Sequence, residues 1–201
     1  MKAKWFVTGL LAVSLLSLPV WAQEENPKPA SRYSHTGLKA AVAFGGFQND
    51  FSRELTDGEA GALSLGYGFS DKVSLWLTAL GVEHPENAVN RSVTDFGGLE
   101  LNFQYKFLPN SPLQPYGKLG AGLYATGEKG SNRVLQGGGL ALALGIDWFF
   151  SRHVGVGLEA QFKSIQFNKE RVTQNGQDVI SDLNPKVDGE SAGLMLTLTI
   201  Q

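Results

Sequence analysis

The segment FGGLELNFQYKF, residues 96–107, alternates between apolar and polar side chains with a period of two. In an extended chain, Leu99, Leu101 and Phe103 fall on one face and Glu100 falls on the other. A helix would scatter these two sets of side chains around its circumference. The segment is therefore predicted to be a β-strand with one apolar face and one polar face.

The same alternation recurs along the rest of the chain. Seven further segments show it, beginning near Leu38, Leu63, Val73, Leu119, Leu140, Val154 and Leu194. Short connections alternate with long ones, and the long ones cover residues 48–59, 83–94, 127–133 and 168–189. An even number of strands with short turns at one end and long loops at the other is typical of barrels in bacterial outer membranes. The sequence predicts an all-β fold, an eight-stranded antiparallel up-and-down β-barrel over residues 37–201.

Alternation alone leaves open which face points outward, because a soluble barrel would turn its apolar face inward. The polar face combines glycine and alanine with isolated charges, which suits the crowded lumen of a small barrel. Segments of about 10 residues also match the length that a tilted strand needs to cross a bilayer. Aromatic residues beside the short turns predict a belt at one membrane interface: Tyr67, Phe69, Tyr105, Phe107, Tyr116, Trp148 and Phe150. The apolar face is therefore predicted to contact lipid, which makes the barrel transmembrane.

Charged and amide side chains on the other face are predicted to meet inside the barrel. A bore of eight strands is just wide enough to be filled by side chains, and an unpaired buried charge is costly. The expected lumen network consists of Glu100, Asn102, Gln104, Lys118, Asp147, Glu159, Gln161 and Lys163. Such a network would hold the barrel together; alternatively, it would gate a narrow path for ions.

The N-terminus has the layout of a secretion signal. Lys2 and Lys4 precede an apolar run over residues 5–18, and Ala22 ends a stretch of the kind that signal peptidase reads. We therefore expect residues 1–22 to be a signal peptide and residues 23–36 to be a polar lead-in to the barrel. Together with the strand pattern, this predicts an integral protein of the bacterial outer membrane with both chain ends in the periplasm.

Three stretches carry a resemblance to a known family. YGFSDKVSL (67–75) and WFFSRHVGV (148–156) repeat one hairpin, and PYGKLGAG (115–122) is similar to a strand opening in small outer-membrane barrels. The sequence thus resembles the OmpA/OmpX-type β-barrel domain family, often labelled porin-family proteins. The resemblance implies outer-membrane lipid, lipopolysaccharide and the barrel-assembly machinery as partners. Family members usually end on an aromatic residue, so the polar Gln201 is expected to affect insertion more than the fold.

Little in the sequence indicates chemistry. The absence of cysteine among 201 residues excludes thiolate metal sites and a lipid-modified N-terminus, and a net charge of −2 gives no reason to expect nucleic acid. His35, His84 and His153 are interpreted as solvated loop residues, so no catalytic, cofactor-binding or metal site is predicted. The sequence predicts a monomeric, non-enzymatic barrel that supports envelope integrity or presents surface loops. The alternatives are a narrow pore and an enzyme that modifies lipid A.

Overall fold

The structure is a computed structural model that describes residues 35–50, 55–84, 94–128, 131–174 and 176–201. The predicted signal peptide and residues 23–34 of the predicted lead-in lie outside the described residues. Within them there is no helix long and apolar enough to cross a membrane. The strands are β1 (Gly37–Asp50), β2 (Leu55–Gly68), β3 (Val73–Glu83), β4 (Thr94–Lys106), β5 (Leu113–Glu128), β6 (Arg133–Phe149), β7 (Val154–Gln174) and β8 (Gln177–Ile200).

Each strand pairs in antiparallel fashion with the next one, and β8 pairs with β1 to close a barrel. At the closing seam, Ala40 lies opposite Ile200 and Asp50 lies opposite Glu190. Closure gives every strand of the wall a partner on both sides, which a sheet surrounded by lipid requires. The predicted fold, an eight-stranded antiparallel up-and-down β-barrel, is confirmed.

The outer surface of the barrel is apolar. Leu38 is 83% exposed and Leu123 is 72% exposed, and most outward positions of the wall carry leucine or another large apolar residue. In contrast, Glu100 and Lys163 are almost completely buried. A continuous exposed apolar band of this kind suits hydrocarbon and does not suit water. The predicted orientation is thus confirmed, and the barrel is transmembrane.

Aromatic side chains flank the three short turns of the barrel. Three pairs pack edge to face with ring centroids 5.2, 5.5 and 6.2 Å apart: Tyr67 with Phe69, Tyr105 with Phe107, and Trp148 with Phe150. Tyr116 does not join them, and this part of the sequence prediction was wrong. Its side chain is only 3% exposed and points into the lumen, because it lies two residues before the inward-facing Lys118 on the same strand.

Much of what the sequence predicts as long loops is strand. The predicted loop 168–189 forms the end of a hairpin in which Lys169 pairs with Asp182 and Thr173 pairs with Asp178, beyond a bulge after Phe167. Strand β6 pairs along it up to Val172. We refer to residues 133–136, 168–174 and 177–189 as the β6–β8 extension. Since the described part of β1 pairs with β8 no further than Glu190, residues 177–189 have a described partner strand only in β7.

Candidate functional site: the filled lumen

Two ion pairs cross the middle of the lumen. Lys163 on β7 places Nζ 2.6 Å from Glu100 Oε1 on β4, and Lys118 on β5 places Nζ 2.5 Å from Glu159 Oε2 on β7. Successive side chains of a strand point to opposite faces, so each of these charged residues points inward while the residues before and after it face the lipid. The structure thus brings together the four charges that the sequence places in the middle of the predicted network.

Neutral side chains complete the hydrogen bonding of the two carboxylates. Glu100 accepts from Asn102 Nδ2 at 3.1 Å and from Tyr124 Oη at 3.2 Å. Glu159 accepts from Tyr116 Oη at 2.8 Å. Gln161, also in the predicted network, donates to Glu159 Oε1 at 2.5 Å and accepts from Lys163 Nζ at 2.7 Å. Neither tyrosine is part of the network that the sequence predicts, although their parity with Lys118 indicates that they face inward.

The remaining two members of the predicted network lie apart from these ion pairs. Gln104 accepts a hydrogen bond from Trp76 Nε1 at 2.8 Å. Asp147 lies 3.8 Å from Lys106 Nζ, which also donates to Gln114 Oε1 at 2.8 Å and sits 4.5 Å above the centre of the Phe149 ring. Lys106 was on the inward face in the sequence but was not placed in the network.

A second lysine outside the predicted network lies near the short turns. Lys39 is buried and donates from Nζ to Ser74 Oγ at 2.8 Å. Lys39 and Lys106 both belong to the inward-facing sets of their strands, so strand parity was the signal that could have found them. The short-turn half of the lumen therefore contains two more lysines than the network that the sequence predicts.

His35 lies just before β1 and fills the short-turn end of the lumen. Its ring is fully buried, with Nδ1 2.7 Å from Gln201 Oε1, Nε2 2.7 Å from Gln114 Nε2, and a tilted contact with Phe149. Burial, followed by the charge of Lys106, lowers the pKa of His35 to about 4. The interpretation of His35 as a solvated residue was therefore wrong.

The other two histidines differ in burial. His84 is 2% exposed and lies 2.7 Å from Asn49 Nδ2, so its interpretation as a solvated residue was also wrong. His153 is exposed at its turn, as expected, and its Nδ1 lies 2.8 Å from the Gln201 main-chain oxygen. The Ser151 hydroxyl accepts from the backbone N–H groups of His153 and Val154, which is the hydrogen bonding of a turn.

The half of the lumen nearer the long connections is mostly apolar, with the buried pair His84–Asn49 as an exception, and the sequence does not predict this. Phe96 stacks on Tyr124 with ring centroids 5.7 Å apart. The buried cluster contains Ala43, Phe47, Ala60, Leu80, Val82, Phe96, Tyr124, Ile165, Phe167 and Met195. Leu183 and Val187 of the β6–β8 extension pack against it. Side chains therefore close this end of the bore.

Little free space remains between these layers. The cavity among the ion pairs has a volume of about 30 Å³, lined by residues that include Thr78, Thr197 and Ala143. This is room for about two water molecules. Among the described residues no group of acidic or histidine side chains has the arrangement of a metal site. The geometry thus supports a structural lumen, and the described residues show no open channel through it.

Comparisons with known proteins agree with this architecture. A family model described as outer membrane protein beta-barrel domain matches residues 8–196. No curated protein matches the chain. Among solved structures, Neisserial surface protein A is 14% identical with a TM-score of 0.65, covering 82% of this chain and 97% of that one. OprG from Pseudomonas aeruginosa is 16% identical with a TM-score of 0.54, covering 86% and 100%.

A third structure, the outer membrane protein AlkL in lipid bilayers, is 13% identical with a TM-score of 0.54 and covers 89% of this chain and 96% of that one. At these identities the three structures show a shared fold alone. The family model spans nearly the whole barrel, and its description fits the lipid-facing wall and the closed sheet described above. The chain belongs to the outer membrane protein β-barrel domain family.

Proposed function

We propose that this protein is a non-enzymatic outer-membrane barrel with a closed lumen, which contributes to envelope integrity and presents the β6–β8 extension outside the cell. The observation that carries the proposal is the filled lumen, in which two buried ion pairs and an apolar cluster leave a cavity of only about 30 Å³. Such a bore offers no path for a solute, and a rigid wall suits a scaffold that displays its outer segments.

The barrel has short turns at one end and the β6–β8 extension at the other, and this difference supports one orientation of the barrel in the membrane. Short turns of outer-membrane barrels face the periplasm, and aromatic side chains prefer the interface. We therefore place the three aromatic pairs and both chain ends at the periplasmic side, with the β6–β8 extension at the outer surface. The surroundings of the wall would be lipid and lipopolysaccharide, the assembly machinery would insert it, and the folded protein would be a monomer.

The β6–β8 extension is the part best suited to meet an outside partner. Val179 is 54% exposed and Ile180 is 57% exposed near its tip, and neighbouring positions of β8 are exposed as well. The exposed pair Arg171–Asp178 joins its two strands at 3.7 Å. A paired sheet of this kind holds its surface residues in fixed positions, so less conformational entropy is lost when a partner binds.

Conductance measurements test whether the lumen is closed. The protein reconstituted in a planar bilayer is expected to give no single-channel steps, and neutralisation in Glu100→Gln or Lys118→Gln is expected to leave this result unchanged. A reproducible conductance in the parent protein that disappears or changes selectivity in Glu100→Gln would overturn the closed lumen and favour a pore.

Surface labelling tests which segment is displayed. An epitope tag inserted at Gly176, between β7 and β8, should be accessible to antibody on intact cells. The same tag inserted between Ser151 and Arg152, in a short turn, should become accessible only after the outer membrane is permeabilised. The reverse pattern would refute the orientation. Incubation of the purified protein with labelled lipid A should leave the lipid unaltered, and any deacylated or acylated product would show an enzyme.

A further inference from the structure

His35, two residues before β1, is held at the short-turn end of the barrel by contacts from several strands. The His35 backbone N–H donates to Asp71 Oδ1 at 3.1 Å, in the turn between β2 and β3. Its ring contacts Phe149 on β6 with centroids 5.2 Å apart and approaches Gln114 on β5 and Gln201 after β8. One side chain thus connects the start of the chain's first strand with the end of its last strand.

The hydrogen-bond partners of the ring suit its neutral form. Lys106 Nζ donates to Gln114 Oε1 at 2.8 Å, which fixes the Gln114 amide so that its Nε2 faces His35 Nε2 at 2.7 Å. In the neutral ring His35 Nε2 accepts a hydrogen bond from Gln114, while Nδ1 donates to Gln201 Oε1 at 2.7 Å. The Pro109 carbonyl, 3.1 Å from His35 Nε2, accepts from Gln114 Nε2 at 2.9 Å. A proton on His35 Nε2 would break the hydrogen bond from Gln114 and leave the Pro109 carbonyl as the acceptor for a buried, charged ring.

The charges around the ring have mixed signs. Lys39 on β1 and Lys106 on β4 oppose a positive ring, and burial is the largest cause of the lowered pKa of His35. Two carboxylates also lie at this end: Asp71 binds the His35 backbone N–H, and Asp147 on β6 lies 3.8 Å from Lys106 Nζ. Each of these two carboxylates therefore has a partner other than the His35 ring.

The turn between β6 and β7 adds Arg152 and His153, which lie beyond Gln201. The Arg152 carbonyl accepts from Gln201 Nε2 at 3.4 Å, and the His153 carbonyl accepts from the Gln201 backbone N–H at 2.9 Å. Gln201 thus stands between this turn and the His35 ring, and its amide orientation is held from both sides.

We propose that His35 is a pH-sensitive latch, which closes the short-turn end of the lumen while its ring is neutral and releases it when the ring gains a proton. The His35 carbonyl lies so close to Gly68 that a Cβ on residue 68 would overlap it, and the buried Lys39 side chain lies beside the same glycine. Release would admit water to the basic half of the lumen. The apolar cluster at the other end would stay in place, so the latch controls hydration of one end and not conduction.

Nuclear magnetic resonance tests the protonation state in the unmodified protein. In lipid nanodiscs, the ring nitrogens of His35 should show the neutral tautomer with a proton on Nδ1 at pH 7 and should titrate at about pH 4. A ring that titrates near the ordinary value of about 6.5, or that carries its proton on Nε2, would overturn the latch. This result does not depend on any variant folding.

Thiol labelling tests the release itself, because the chain has no cysteine of its own. Thr199→Cys places one thiol at an inward position near the short turns, and Lys72→Cys places one at an exposed turn to report the pH dependence of the reagent. From pH 7 to pH 4, the rate at position 199 relative to position 72 should rise by up to about 100-fold.

The control variant removes the titrating ring and keeps a side chain that can form hydrogen bonds. With His35→Gln in both reporter backgrounds, the relative rate should stay constant over the same pH range. An equal rise in this variant would assign the opening to other groups, and no rise in the parent protein would show that protonation leaves the end of the lumen closed. Either result would overturn the proposal.

Discussion

Removing one charge from the pair Glu100–Lys163 should destabilise the barrel strongly. The two charged atoms lie 2.6 Å apart, and both side chains are at most 4% exposed. At an effective dielectric constant of about 20, this separation corresponds to an attraction of roughly 6 kcal/mol. Glu100→Gln removes that attraction but also the desolvation penalty of the carboxylate, and it leaves Lys163 buried without its partner. We expect a loss of about 3 kcal/mol in the free energy of unfolding.

A double-mutant cycle separates the pair from its surroundings. Lys163→Met alone leaves the carboxylate buried, so it should cost about as much as Glu100→Gln, whereas the double variant should lie within about 1 kcal/mol of the parent protein. The measurement is urea unfolding in lipid vesicles, followed by tryptophan fluorescence, to which the lipid-facing Trp148 and the buried Trp76 both contribute. The exposed pair Arg171–Asp178 is the control, because Arg171→Gln should cost no more than about 0.5 kcal/mol.

The result that refutes this reasoning is a Glu100→Gln variant as stable as Arg171→Gln. It would mean that water enters the lumen far enough to screen Lys163, and the cavity of about 30 Å³ would then understate the space available in the membrane. Additive losses in the double variant would also contradict it, since they would show that the two side chains act independently.

Three further predictions concern the wall and the short-turn end. Gly120→Ala should lower the free energy of unfolding in urea by about 2 kcal/mol, because the added Cβ would overlap Asn102 Oδ1. As a control, Gly61→Ala should change it by less than about 0.5 kcal/mol, because a Cβ at residue 61 has no atom within 4 Å. Leu101→Arg on the lipid face should cost about 2–4 kcal/mol in the same assay, and Ile180→Arg in the β6–β8 extension should cost almost nothing. The pKa of His35 is lower in the folded protein than in the unfolded chain. Its contribution to the free energy of unfolding should therefore be complete above about pH 6.5 and fall by about 2 kcal/mol towards pH 4. Unfolding titrations of His35→Gln should no longer show this dependence on pH.

The barrel could be predicted from sequence because lipid imposes a simple rule on its wall. Every outward side chain in the bilayer must be apolar, so the period of two persists through all eight strands, as in the segment 96–107. The same parity correctly indicates that Glu100 and Lys118 face inward. The prediction is wrong where it departs from this rule: the aromatic neighbours of Tyr116 suggest the belt, whereas its parity with Lys118 indicates the lumen, where the structure places it.

The partners inside the lumen could not be predicted in the same way. Parity fixes the face of a residue, whereas the distance between β4 and β7 across the bore depends on the stagger of all the strands between them. Glu100 therefore had several possible partners in the sequence, and the structure selects Lys163. The β6–β8 extension was missed for another reason: outside the membrane both faces of a sheet meet water, and the apolar alternation that indicates a strand disappears.

The arrangement of the lumen explains why an eight-stranded barrel can hold so many buried charges. The apolar cluster around Phe47 and Phe96 excludes water at one end, and His35 with Phe149 closes the other, so the ion pairs between them lie in a medium of low polarity. In such a medium a satisfied pair is strong and a broken pair is costly. The two closed ends therefore determine how much the central network stabilises the barrel, and opening either end should weaken the effect of Glu100→Gln. Measuring the Glu100–Lys163 coupling in a Val82→Ala background tests this, because it opens the apolar cluster and keeps the contact of Lys163 with the Phe47 ring. A smaller coupling than in the parent protein is expected, and an unchanged one would show that the network acts independently of the apolar cluster.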